Sequence, residues 1–295
     1  MQKDVSKIYK TLVCNGEISL AVLDTTALVN EAITRHGLSP VAAATLGRTF
    51  TATAYLCSWL KEEDSVLSVT VAGDGLGGKI SVSGDGALNL RGNIEHPTVD
   101  LPPRADGKLD VGRCVGKGTL TVVRDDGEGI PFVGTCALVS GEIAEDFSAY
   151  FLTSEQRPTA IALGVKIGTD GKCLGAGGVL LQPLPYASEE AICYAEEKIG
   201  LFAKVSSLVE EMGAEGILKE FFGVEAKEAT AREIRFRCRC NKERAAAAVL
   251  AMGRKDAEEL LEELGEVNVH CHDCNTDYTF GKAELAELFR GKGEE

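Results

Sequence analysis

Four cysteines stand in two close pairs, Cys238-Arg239-Cys240 and Cys271-His272-Asp273-Cys274, with 30 residues between the pairs. Thiolates are soft ligands, and four of them suit a tetrahedral Zn²⁺ with Zn–S near about 2.3 Å. The spacings make physical sense for that ion. Arg235-Phe236-Arg237-Cys238-Arg239-Cys240 alternates as a strand does, which would project Cys238 and Cys240 to one face. The CxxC pair can wrap the ion in a tight turn. The sequence therefore predicts one Zn²⁺ per chain on Cys238, Cys240, Cys271 and Cys274. His270 and His272 flank the site. His270 could serve as a ligand or donate to one, but both read better as exposed turn residues or hydrogen-bond partners; His272, inside the CxxC turn, would compete poorly with its neighbouring sulfurs.

The other six cysteines, Cys14, Cys57, Cys114, Cys136, Cys173 and Cys193, are scattered singly, mostly among apolar or small neighbours. Free cysteine behaves as a small hydrophobe, so these read as core filler. Cys114 and Cys173 lie in more polar, glycine-flanked stretches and stand out as the two candidates for exposure. An even count of 10 cysteines invites a disulfide scaffold, but Met1-Gln2-Lys3-Asp4-Val5-Ser6 is polar, with no apolar signal-peptide region after it. No run approaches a membrane span. The expected location is cytoplasmic, where clustered thiols more often mean metal or redox chemistry.

The elements that must position these groups fall into three stretches. Residues 1–180 read as a mixed core, with strand patterns at 18–23, 65–71, 79–83, 87–91, 119–123, 133–139, 160–167 and 178–181, and helices opening at Ser39-Pro40 and spanning 144–153. Residues 181–231 read as a helical linker. Its apolar stripe of Ile192, Ala195, Ile199, Phe202, Val209 and Met212 must rest on something, permanently or conditionally, and a short helix follows at 216–222. Residues 232–295 read as a small zinc domain, with helices at 241–252, 256–264 and 282–289 and strands at 267–270 and 278–280. Strands and helices mixed without strict alternation give an α+β fold. A core in about 64 residues is marginal without a staple. Structural zinc contributes about 10–16 kcal/mol of apparent binding energy to such domains, so this one should fold with the metal.

One glycine motif is a decoy. Gly73-Asp74-Gly75-Leu76-Gly77-Gly78-Lys79 satisfies GxxxxGK, but Ile80 stands where a phosphate loop needs Ser or Thr, and a strand pattern follows instead of a helix. Hairpin turns explain these glycines better.

Charge narrows the function. The net charge of −14 and pI near 4.9 speak against a general nucleic-acid or anionic-membrane binder. That charge is uneven. Residues 188–228 hold ten Glu against four Lys, while 232–255 carry Arg232, Arg235, Arg237, Arg239, Lys242, Arg244, Arg254 and Lys255 against Glu233 and Glu243. The basic stretch would stabilise thiolates or pair with the acidic linker. The alternative is a zinc-ribbon module that uses 232–255 on RNA or DNA. A thiol oxidoreductase fits less well, because strand-like residues, not a helix, follow Cys274.

With Arg35-His36-Gly37, Leu46-Gly47-Arg48-Thr49, Gly107-Lys108-Leu109-Asp110-Val111 and Ser154-Glu155-Gln156 in the same order as the two cysteine pairs, the chain resembles the thirty-three-kilodalton heat-shock chaperonin family of bacteria. The resemblance implies a redox-regulated, ATP-independent holdase and not an enzyme. In the family, reduced protein holds Zn²⁺ on the four cysteines and is largely inactive. Oxidants such as peroxide or hypochlorite form disulfides within each pair and release the metal; the linker loosens, and unfolding clients are held, commonly by a homodimer. Carried over, the bridges are Cys238–Cys240 and Cys271–Cys274. Residues 1–180 become the client-binding and dimerisation domain and 232–295 the redox switch. If Cys238 and Cys240 lie on a strand, their Cα atoms sit about 6.7 Å apart. A relaxed disulfide prefers about 5.5–6 Å, so bridging them would demand backbone change as well as metal loss.

Overall fold

Ser39 accepts a hydrogen bond from the Ala42 amide (3.3 Å), and Pro40 occupies the first turn, so the longest buried helix starts where its cap residues dictate. The computed structural model describes residues 5–127 and 129–290. In chain order the elements are β1 (Ser6–Val13), β2 (Ile18–Asp24), α1 (Thr26–His36), α2 (Pro40–Cys57), β3 (Val66–Gly73), β4 (Ile80–Asp85), β5 (Asn89–Ile94) and α3 (Val111–Val115). There follow β6 (Gly118–Asp125), β7 (Phe132–Ala137), α4 (Ala144–Thr153), β8 (Ala160–Ile167), β9 (Cys173–Pro183), α5 (Glu189–Gly200) and α6 (Val205–Phe222). The chain ends with β10 (Thr230–Phe236), α7 (Lys242–Met252), α8 (Arg254–Leu264), β11 (Val267–Cys271), β12 (Thr276–Phe280) and α9 (Lys282–Arg290). Two compact units result, Met1–Arg237 and Cys238–Glu295. The fold is α+β, as expected.

The first unit is built on a ten-stranded sheet in the order β7-β6-β3-β4-β5-β10-β1-β2-β9-β8. Neighbours are antiparallel except β10 and β5, which run parallel. The late strand β10 therefore joins two halves of the sheet, placing Ile8 opposite Arg232 on one side and Phe236 opposite Leu90 on the other. This insertion is why residues 230–237 belong to the first unit, although the basic composition of 232–255 reads as continuous. Helix α4 touches both edge strands, β7 and β8, so the sheet curls around its helical layer.

Helix α2 fills that layer. Nearly its whole length is buried, and Leu46, Phe50 and Tyr55 join Val69, Val82 and Leu180 in the main core. Its buried threonines Thr45, Thr49, Thr51 and Thr53 each donate to the carbonyl four residues earlier, which satisfies hydroxyls that would otherwise be costly to bury.

Helices α5 and α6 cover the other face, over β1, β2, β9 and β8. Ala195, Phe202, Val209, Ile217 and Leu218 close a second core against Tyr9, Ile18, Leu20, Val22, Val179 and Leu181. The apolar stripe thus rests on the sheet, although Met212, one of its expected members, is exposed. Gly175 of β9 lets α6 approach: a side chain there would run into the Ser206 carbonyl oxygen. Gly213, at φ +67°, breaks α6 into two helical segments, so the separate helix expected at 216–222 is the continuation of a kinked one.

The Gly73–Lys79 stretch is the β3–β4 connection. Its Gly75 and Gly77 amides donate to the carbonyls of Val115 and Cys114 at 2.9 and 2.8 Å, so those amides are spent within the fold and do not cradle a phosphate.

In the second unit, α7, α8, α9 and the β11–β12 hairpin close a small core of Ala245, Val249, Ala257, Val267, Phe280 and Leu285.

Phe202 is fully buried, with the Phe221 and Phe222 rings at 5.0 and 5.7 Å. Phe202→Ala should cost about 3–5 kcal/mol, read by denaturant unfolding of the reduced chain. Amide exchange should rise first across 189–222, because the substitution empties the layer between these helices and the sheet.

Candidate metal centre

Local folding brings all four cysteines together. The register of β11 and β12 puts Cys271 opposite Thr276, at the end of the hairpin. Residues 272–275 make the turn: the Asn275 amide donates to the Cys271 carbonyl (2.8 Å), and Asn275 takes the left-handed conformation that asparagine tolerates. Cys274 is thereby folded back beside Cys271. Cys240 immediately precedes Asn241, the N-cap of α7, whose side chain accepts from the Arg244 amide (2.8 Å). The CxC pair differs from the expected strand. β10 ends at Phe236, where pairing with β5 stops, and residues 237–240 are irregular. The strand-based distance between Cys238 and Cys240 therefore does not apply, and closing a bond between them breaks no sheet pairing.

The ligand atoms of Cys238, Cys240, Cys271 and Cys274 all lie within 4.8 Å of one another. Cys238 Sγ is 3.7 Å from Cys271 Sγ, and Cys240 Sγ is 3.3 Å from Cys274 Sγ. A tetrahedron with metal–sulfur bonds of about 2.3 Å has edges of about 3.8 Å, so the donor set fits a tetrathiolate zinc site. Each motif supplies two ligands, so an ion held here ties two chain segments together.

The surroundings favour thiolate at one corner. At Cys240, burial alone raises the thiol, but hydrogen bonds from the Tyr278 hydroxyl and the other three thiols bring it down to about 7. The Tyr278 hydroxyl donates to Cys240 Sγ at 3.1 Å. Burial pushes Cys271 up to about 11 and holds Cys238 well above the usual thiol range. The Cys274 thiol donates to the Thr276 hydroxyl (3.2 Å). His270 stands apart from the sulfur cluster, with Nδ1 2.8 Å from Asp277 Oδ1, and the His272 ring packs edge-on to it at 4.9 Å. The hydrogen bond from His270 holds the Asp277 carboxyl below the usual range.

A sequence profile described as Hsp33 protein matches residues 6–281. The chain belongs to the Hsp33 family. A relative from Lachnoclostridium phytofermentans, named 33 kDa chaperonin, is 38% identical over 283 residues, covering 95% of this chain and 97% of the relative. Another of the same name, from Bacillus subtilis, is 37% identical over 283 residues with the same coverage. The crystal structure of the 33 kDa chaperonin from Thermotoga maritima superposes with a TM-score of 0.89 at 34% identity, covering 97% of this chain and 98% of that one.

The other cysteines of this Hsp33 chain sort by burial. Cys57, Cys114 and Cys173 are buried, Cys14 and Cys136 half-buried, and Cys193 exposed. Neither of the two expected candidates for exposure is exposed. Cys114 faces the Gly77 loop, and Cys173 is clamped by Asn30, which accepts from its amide at 3.0 Å and donates to its carbonyl at 2.8 Å. Burial pushes the Cys57 and Cys114 thiols up, away from the reactive thiolate form. Polar sequence neighbours give no sign of α1 lying over Cys173; that contact spans 143 residues.

The basic stretch is largely spent on local contacts. Arg232 donates to the Gly86 carbonyl, Arg235 pairs with Glu233 at 2.5 Å, and Arg244 donates to the Arg239 carbonyl at 3.3 Å. Lys242 pairs with Glu284, Arg254 with Glu258 at 2.8 Å, and Lys255 with Glu259 at 3.7 Å.

Titrating the metal-free, reduced chain with Co²⁺ should give the visible spectrum of a tetrahedral tetrathiolate site, saturating at about one equivalent. Cys274→Ser should shift that spectrum and weaken the affinity; an unchanged spectrum would remove Cys274 from the ligand set.

Proposed function

We propose that this chain is an oxidation-activated, ATP-independent holdase that works in the cytoplasm and takes unfolded or partly folded proteins as clients. In the reduced state Cys238, Cys240, Cys271 and Cys274 hold one Zn²⁺ and the protein is largely inactive. Membership of the Hsp33 family and the names of the relatives support chaperone activity. The observation that supports the switch is the convergence of four sulfurs from two segments in a unit whose buried apolar cluster, among the described residues, holds six side chains with partly buried ones packed around it.

When bound, the metal supplies a cross-link and keeps its ligands as thiolates. Oxidation by a peroxide then follows ordinary thiol chemistry. One thiolate of a pair takes an oxygen atom to become a sulfenic acid, and the peroxide leaves as water after taking up a proton. The partner thiol displaces the second water and closes the disulfide. Each bridge delivers two electrons to one peroxide.

The proposed pairing, Cys238–Cys240 and Cys271–Cys274, follows from the family resemblance, and chain geometry says why it matters. Bridges between the motifs, such as Cys238 to Cys271, would close loops of more than 30 residues and staple the unit as the metal does. Bridges within the motifs close only tiny loops and leave the two segments untethered. The pairing within motifs therefore removes the cross-link without replacing it, and a core this small unfolds. Loss of this fold is proposed to release α5 and α6 from the sheet, exposing Phe202, Val209, Ile217 and Leu218 with the strand residues beneath. Apolar patches of that kind bind unfolding chains, and two chains sharing them would form the active homodimer.

The test combines zinc release, peptide mapping of disulfides and light scattering of a heat-unfolding client. Peroxide treatment should release about one zinc per chain, as the cobalt stoichiometry requires, form both bridges within the motifs and suppress aggregation, while the reduced form suppresses it far less. Equal suppression by both forms would sink the switch, and bridges between the motifs would sink the pairing.

A further inference from the structure

The first unit carries a groove of about 560 Å³ along an unpaired sheet edge. Residues 163–169, the second half of β8 and the start of the following turn, line it. Among the described residues, β8 pairs with β9 alone. The walls come from both helical layers, with Pro40 and Arg48 of α2 in one and residues 203–207 at the start of α6 in the other. A groove walled from both faces of a sheet follows the strand's edge, where backbone N–H and C=O groups point outward.

Its charge is opposite to that of the chain. Arg48, Lys108, Lys166 and Lys204 line the groove against the single carboxylate Asp106, in a protein of net −14. Glu142 takes one end of Arg48 (2.7 Å), Glu210 takes Lys166 (2.6 Å), and Asp106 faces Arg104 (3.7 Å). Lys108 and Lys204 are exposed and carry no ion pair among the described residues. Arg48 Nε is buried with no hydrogen-bond partner.

We propose that this edge accepts an extended acidic peptide segment as an added strand. Its main chain would pair with β8, and its carboxylates would meet Lys108, Lys204 and Arg48. The five strand residues Leu163–Ile167 run about 17 Å, enough to pair with a segment of about five residues. A small phosphate-type anion would satisfy the cations and leave the edge unpaired, so the combination of edge and charge selects a peptide. The site lies wholly within the first unit, so it stands independently of the oxidative switch.

The probe is a fluorescein-labelled octapeptide of alternating Val and Glu, added to the full-length, reduced, zinc-loaded chain. Anisotropy should saturate, and hydrogen exchange should slow at 163–168. Lys108→Glu with Lys204→Glu should weaken binding by about tenfold or more while leaving the circular dichroism unchanged. N-methylation of one alternating set of peptide amides should abolish binding, whereas the same peptide with Lys for Glu should not bind. Exchange protection elsewhere, or indifference to both N-methylated sets, would overturn strand addition. Stoichiometric displacement by pyrophosphate, with no protection of 163–168 by the peptide, would reduce the site to a small-anion site and overturn the peptide. Because the reduced chain is assayed, failure of oxidised protein to hold clients leaves this result standing.

Discussion

The constraint on which the second unit depends is the meeting of four sulfurs. Among the described residues, six buried apolar side chains, two of them alanines, are a small return for ordering three helices and a hairpin. A metal held between Cys238 and Cys240 on one segment and Cys271 and Cys274 on the other would remove the freedom of the intervening chain and supplement that core. Under the proposed function, the same dependence would make the unit sensitive to sulfur chemistry. A fold held by a large core tolerates loss of one cross-link; a fold held by the cross-link does not.

The first unit is organised in the opposite way. Its main core runs through α1, α2 and α4 beneath most of the sheet, and no single contact decides it. The part suited to conditional packing is the second core under α5 and α6. There Gly213 interrupts the helix, and the acidic face is tied down by few polar contacts, chiefly Tyr9 to Glu215 (2.5 Å) and Lys166 to Glu210. Burial, followed by the hydrogen bond to Glu215, holds the Tyr9 hydroxyl far above its usual range, so it stays a donor at any physiological pH. Under the proposed function, release of these helices would come from lost packing.

Chemistry written in adjacent residues is legible in the chain itself. CxC and CxxC name four ligands by type and spacing, and the fold brings those same four together. Elements with local punctuation are equally legible: Ser39-Pro40 opens α2, Ser188 caps α5 through the Ala191 amide, and the patterns at 144–153 and 160–167 match α4 and β8. What stays hidden is long-range pairing. β1 pairs with β10 across more than two hundred residues, and neither segment announces its partner. The strand alternation around Cys238 misleads by one motif, because the pattern that ends at Phe236 continues in residue type but not in hydrogen bonding. Burial of Cys114 and Cys173 comes from elements distant in sequence, which neighbouring glycines cannot report.

Charge shows the same difference between sequence and space. Along the chain, 232–255 is a basic block, and a block of cations suggests an anionic partner. In space the block divides at Arg237 between two compact units, and most of its members are bonded to carbonyls or carboxylates close by. The cations lining the β8 groove are the reverse case. Arg48, Lys108, Lys166 and Lys204 are separated by tens of residues and form no run, yet folding gathers them along one open edge. An electrostatic site is set by where charges end up unpaired, and among the described residues Lys108 and Lys204 of this groove carry no ion pair, whereas most of the contiguous basic block is bonded close by.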